Sequence, residues 1–160
     1  SFVYSERADA SMFYITHIRA IVQSVALNLA TPQGVLLSPP EESGEGDGGL
    51  FKGILARYLA EVALRLPADS KENIATRKIA ARLVMQSADS LWSHRLEVDG
   101  LPVFAAEWTQ DAKLPHNYGL GPSSISEAVG LVRIDERDLS VQLSGWMLLE
   151  AAARVAAAQA

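Results

Sequence analysis

Two short stretches hold most of the side chains able to grip a polar ligand. Glu41 to Gly49 sets the carboxylates Glu41, Glu42, Glu45 and Asp47 among glycines, then runs straight into Leu50-Phe51-Lys52-Gly53. A carboxylate just ahead of a helix accepts hydroxyl hydrogen bonds while the helix dipole stabilises its charge, so Asp47 is a candidate contact for a polar ligand. The same position also suits a plain N-cap. Lys52 falls in the first helical turn, where a cation opposes the dipole. A carboxylate partner is therefore expected, Asp47 or Glu45, set against the commoner outcome of a solvated lysine. Trp108 sits beside Glu107 in an irregular stretch. Its ring can stack on the C–H side of a pyranose, or plug the core beneath its own loop.

Other chemistries find no support in the residue spacing. His17, His94 and His116 form no metal-ligand pattern. No Ser lies in a G-x-S-x-G frame. Gly44 to Gly49 is too acidic to cradle phosphate and lacks the Lys-Ser/Thr ending of a P-loop. The acidic loop has no EF-hand spacing for calcium. No cofactor and no metal are expected.

The elements that must position these residues read as helices. Phe51, Ile54, Leu55, Tyr58, Leu59 and Val62 recur at helical steps, predicting a helix over 50–66 that buries this stripe and stops at Pro67. Upstream, Ile15, Ile18, Val22, Val25 and Leu29 predict a helix over 9–29, capped by Asp9 or Ser11 and closed by Thr31-Pro32. Arg19 falls off that stripe. Gln33 to Pro40 is a connector. Asp69 and Glu72 have capping-box spacing for a helix that ends near Ser93. Its exposed side carries Lys71, Arg77, Lys78 and Arg82.

From Arg95 to Leu139 the helical period is lost. Val98-Asp99-Gly100-Leu101-Pro102 reads as a turn between two short strands, Leu96–Val98 and Val103–Ala105. A loop rich in Pro, Gly and aromatics follows, with a further apolar piece at Ala128–Ile134. Asp138 then caps a last helix reaching about Ala157. Its apolar residues spread round most of its circumference, so burial on nearly all sides is expected, with Trp92 and Trp146 in the core. The fold class is all-α, with a long loop region holding short β pieces.

The totals exclude several partners. The chain has 160 residues, 49% of them hydrophobic, a net charge of −5 and no cysteine. That length and hydrophobic content suit one domain with a real core rather than a disordered chain. The negative charge argues against nucleic acid and anionic lipid as main partners. Without cysteine there is neither a disulfide nor a thiolate metal site. No apolar run is long enough for a membrane span. The opening SFVYSERADA shows no signal-peptide pattern, and a start on Ser suggests that an earlier segment has been lost.

The segment GDGGLFKGILARYL, residues 46–59, resembles a stretch of glycoside hydrolase family 76 that runs roughly D-G-x-x-F-K-G-I-F-x-R-x-L. The helix of 9–29 followed by TPQGVL resembles that family's run-up to the same loop. Phe104-Ala105-Ala106-Glu107-Trp108-Thr109 is similar to its tryptophan-bearing loop. Leu139 to Ala152 looks like its last inner helix. The likeness spans most of residues 8–155 and is weakest over 111–137.

The resemblance implies an (α/α)6 barrel of helical hairpins, of which this chain would form the C-terminal half. It implies endo-α-1,6-mannanase chemistry, hydrolysis or transfer of α-mannosyl linkages in a cell-wall glycan, and an extracellular or cell-wall location. It also makes Asp47, which matches the aspartate just ahead of the family's F-K-G, the first candidate for contact with a sugar, beside Lys52 and Trp108 as substrate contacts, and it adds a carboxylate of the missing half to the candidate partners of Lys52. One departure matters. The family's catalysis rests on adjacent aspartates, and this chain contains no Asp-Asp pair. A retaining glycosidase needs two carboxyls about 5–5.5 Å apart, so the chain alone is expected to be inert, its catalytic pair belonging to the missing N-terminal half. The rival readings are a non-catalytic helical carbohydrate-binding or protein-interaction module, and a different (α/α)6 glycosidase or lyase.

Overall fold

The computed structural model describes residues 2–38, 48–113 and 139–159. Within them the regular elements are four helices and one hairpin, in the order α1 (Phe2–Asn28), α2 (Gly48–Arg65), α3 (Lys71–Ser93), β1 (Leu96–Val98), β2 (Leu101–Val103) and α4 (Leu139–Ala157). The all-α reading stands. The acidic loop with Asp47, the apolar piece at 128–134 and the Asp138 cap lie outside the described residues.

Helix α1 runs back to Phe2, so neither Asp9 nor Ser11 caps it. No proline or glycine interrupts 2–10, and nothing local stops the helix there. Its end is built by TPQG. Gly34 N–H donates to Thr31 O at 2.8 Å, Thr31 N–H to Val35 O at 2.8 Å, and Val35 N–H to Thr31 Oγ1 at 3.1 Å. Gly34 has φ of 98°, which a side chain rarely tolerates. Pro32 presets the bend and Gly34 supplies the left-handed step. The turn delivers Leu36, fully buried, to α3, where its N–H donates to the buried Ser87 Oγ at 2.9 Å.

Ser70, rather than Asp69, caps α3: its Oγ accepts from Asn73 N–H at 3.1 Å. Asp69 instead accepts from Asn73 Nδ2 at 2.7 Å, which turns the Asn73 carbonyl toward Arg19 Nε at 2.8 Å. The arginine expected off the α1 stripe thus ties α1 to α3. Two more cations expected on the exposed side of α3 reach backbone carbonyls. Arg77 donates to Ala63 O at 2.8 Å, and Arg82 donates to Pro32 O and Gln33 O at 3.2 and 3.3 Å.

The hairpin pairs Leu96 with Val103 and Val98 with Leu101, so β2 begins two residues earlier than the expected Val103. Asp99 and Gly100 have φ of 51° and 78°, the left-handed pair of a two-residue turn, and that turn fixes the register.

Packing follows residue size more than residue hydrophobicity. Helix α2 packs most extensively on α4 and then on α3, while α3 also packs on α4 and α1. The buried face of α2 is Lys52, Gly53, Ala56, Leu59, Ala60 and Ala63. The expected stripe is largely turned outward: Phe51 is 53% exposed, Ile54 36% and Tyr58 68%. The physical reason is close approach. A Cβ on Gly53 would lie 2.7 Å from Ser144 Cα and 2.8 Å from Ser144 O, so α4 meets the α2 backbone there. Gly53 N–H donates to Ser144 Oγ at 2.8 Å across the contact. Alanines extend the seam, because small side chains let the two axes approach.

Helix α4 is not buried all round. Val141, Ser144, Gly145, Leu148, Ala152 and Val155 face the core, and Leu143, Trp146 and Glu150 face outward. Trp92 is likewise exposed on α3, not core. Leu148, wholly buried, contributes roughly 1.5–3 kcal/mol of apolar transfer.

Candidate functional site

The loop that follows β2 is held by polar contacts from several elements. Three helices hold it. Gln142 of α4 grips one residue with both ends of its amide: Phe104 N–H donates to Oε1 at 3.0 Å, and Nε2 donates to Phe104 O at 2.8 Å. Ser90 of α3 donates to Trp108 O at 2.7 Å. Lys52 of α2 donates to Ala106 O at 2.6 Å and to Ser38 Oγ at 3.0 Å.

Lys52 and Trp108, singled out separately in the sequence, therefore meet. The ammonium lies 4.6 Å from the Trp108 ring centroid and 3.8 Å from Glu107 Oε1. Lys52 is buried, 8% exposed, so the cation that opposes the α2 dipole is satisfied by a carbonyl, a hydroxyl, a carboxylate and a π face. Asp47 and Glu45, the carboxylates named from the sequence, lie outside the described residues; among those described, Glu107 is the carboxylate beside Lys52.

Trp108 is 1% exposed. In this arrangement its ring is the plug of its loop, packed in the main core, and offers no open face for a pyranose to stack on. Glu107 keeps a third of its side chain in solvent, so of this cluster it is the group able to reach a ligand. Asp47 lies outside the described residues.

A serine, a histidine and an aspartate also gather here, and their bonding shows why they are not a nucleophilic triad. His94 Nδ1 faces Ser90 O at 2.8 Å, which fixes the proton on that nitrogen, and Nε2 lies 4.0 Å from Asp111. Ser90 Oγ gives its hydrogen to Trp108 O, leaving His94 Nδ1 at 3.5 Å and no base to activate the hydroxyl. The set closes the loop's far end, where Ala112 N–H donates to His94 O at 2.9 Å.

At the other end of the α2–α4 seam, Glu61 accepts from Arg154 Nη2 at 2.6 Å and lies 2.7 Å from Arg65 Nε. The Arg154 hydrogen bond, opposed by desolvation and helped by the charges of Arg154, Arg65 and Arg57, holds the Glu61 carboxyl below the usual carboxylate range. The same bond raises the Arg154 guanidinium.

A further feature is an open groove of about 530 Å³ between α1 and α2, walled by Ile15, Ile18 and Ile21 on one side and Leu55, Tyr58 and Val62 on the other. It is almost wholly apolar. Among the described residues no group of three His, Asp or Glu could hold a metal ion, and no helix is long and apolar enough to cross a membrane.

Sequence reasoning missed Gln142, Ser90, Ser144 and Asn73, polar residues within helices that carry the joints between elements. Their signal was faint: each is a short or neutral polar side chain interrupting an otherwise apolar helix face. Compared with protein-family models, curated proteins and solved structures, the chain has no significant match to any of them.

Proposed function

We propose that this chain is a wall of an (α/α)6 barrel that acts on α-1,6-linked mannan, similar to glycoside hydrolase family 76, with its catalytic carboxylates supplied by another segment. The observation that carries this reading is the environment of α2. One flank is closed by α4 through Gly53 and the alanines, and the opposite flank is apolar and open. A helix apolar on both flanks is made to have a helix on both flanks. A ring of helical hairpins provides that for every helix.

In this reading the anchored loop is a fixed rim of the cleft. Glu107 and Asp47 are its polar contacts, while Lys52 and Trp108 hold the rim in place rather than touch sugar. The glycan is neutral, in keeping with the net charge of −5. The location that goes with it is the cell wall or the medium.

The test is affinity electrophoresis of the chain in gels containing α-1,6-mannan, paired with an assay for released reducing ends. Retarded migration with no release is the expected result. Release of reducing ends would show that the chain holds a catalytic pair of its own. Unretarded migration in every α-mannan tried would remove the glycan reading. A non-catalytic binding module, favoured by the missing Asp-Asp pair, predicts the same retardation. It differs in predicting that the α1–α2 groove needs no cover.

A further inference from the structure

From the geometry of α4 we infer that the aromatic sugar platform of this chain is Trp146, with Glu150 as its hydroxyl partner, and that the ligand is a neutral pyranoside oligosaccharide. The inference rests on the glycan reading above and deepens it by naming the contact.

Three tryptophans are available. Trp108 is sealed in the core. Trp92 is 44% exposed, but the Arg95 guanidinium lies 4.1 Å from its ring centroid, so that face is already occupied. Trp146 is 51% exposed and has no cation over it among the described contacts.

A stacking platform must also be rigid, because ordering a loose side chain offsets the contact it makes. Trp146 is backed by Phe104 in an edge-to-face pair, with ring centroids 5.7 Å apart and planes at 77°. Phe104 is fully buried, and its backbone is clamped at both N–H and C=O by Gln142, one turn before Trp146 on the same helix. The residue preceding the tryptophan completes the device. A Cβ on Gly145 would collide with Phe104 Cδ2 and lie 2.9 Å from Cγ, so glycine is what lets the backing ring seat against α4.

Specificity needs a polar group beside the apolar face. Glu150 is four residues on, hence on the same face of the helix one turn away. Its carboxylate is 54% exposed and lies 3.7 Å from Arg154 Nε, which steers it without consuming both oxygens. A pyranose stacked by its C–H face on the indole would present equatorial hydroxyls toward that carboxylate.

The experiment measures binding of α-1,6-mannan and of a linear β-glucan by the full chain, using affinity electrophoresis and indole fluorescence, with Trp146→Leu, Glu150→Gln and Trp92→Leu beside the wild type. Melting curves accompany each variant. Trp146→Leu should weaken binding about tenfold or more, Glu150→Gln about threefold to tenfold, and Trp92→Leu not at all. The fluorescence change on ligand addition should vanish with Trp146→Leu alone. Should the wild type bind while Trp146→Leu and Glu150→Gln bind equally well, the platform is elsewhere and the glycan reading survives. If the wild type binds no polysaccharide, both fall together. Loss of binding in Trp92→Leu but not in Trp146→Leu would move the site to α3 and overturn the inference.

Discussion

The two flanks of α2 are both apolar, yet they differ in every other respect. Toward α4 the side chains are Gly53, Ala56, Ala60 and Ala63, the backbones come into contact, and a buried Ser144 hydroxyl bridges them. Toward the groove the side chains are Leu55, Tyr58 and Val62, all larger than alanine, and Tyr58 is 68% exposed. Hydrophobicity alone ranks the second flank as the core side. Close packing decides otherwise, because dispersion and desolvation reward the surface that can be brought into contact, and alanine faces come closest. The bulky flank is then left for a partner whose own side chains can interdigitate with it.

Substitutions on the closed flank should cost stability, and substitutions on the open flank should not. The largest expected effect is Trp108→Ala, which empties the centre of the loop and should destabilise by about 3–5 kcal/mol in chemical denaturation. Gly53→Val comes next. Its side chain must displace the Ser144 backbone, so about 2–3 kcal/mol is expected, and a change below about 0.5 kcal/mol would show that α2 and α4 do not touch there. Lys52→Met leaves Ala106 O and Glu107 without their cation while keeping the buried stem filled. About 2 kcal/mol is expected, with faster amide exchange confined to the loop.

On the open flank, Tyr58→Ser should alter monomer stability by no more than about 0.5 kcal/mol. Smallest of all is the Glu61–Arg154 pair. Because folding lowers the Glu61 pKa, its contribution is present above the ordinary carboxylate range and is lost as pH falls through the lowered value. Arg154→Gln should therefore lower Tm near neutral pH slightly and leave Tm in acid unchanged, and added salt should shrink the difference.

The helices themselves were readable. Ile15, Ile18, Val22 and Val25 line the inner side of α1 as their spacing requires, and α3 ends at Ser93 as expected. Which side of α2 and α4 faces inward was not readable, since both helices are apolar round much of their circumference and the choice depends on what α4 can approach. The cap at Ser70 was hidden by Asp69 next to it, because either side chain can bond a free N–H and only the geometry selects one. The meeting of Lys52, Glu107 and Trp108 was half legible: the misplaced cation announced a partner, and only the fold could bring that partner from a loop more than fifty residues on. Trp146 was assigned to the core for its place within a helix. Its exposure follows from Gly145 turning the tight contact one residue aside.

The measurement that bears most directly on the account is the association state of the purified chain, by sedimentation velocity across a concentration series, with Leu55→Ser/Tyr58→Ser as the comparison. An open apolar groove awaiting helices predicts concentration-dependent association of the wild type and a folded, largely monomeric double variant. A wild-type chain that stays monomeric at high concentration, melts cooperatively and is indifferent to those two substitutions would contradict it.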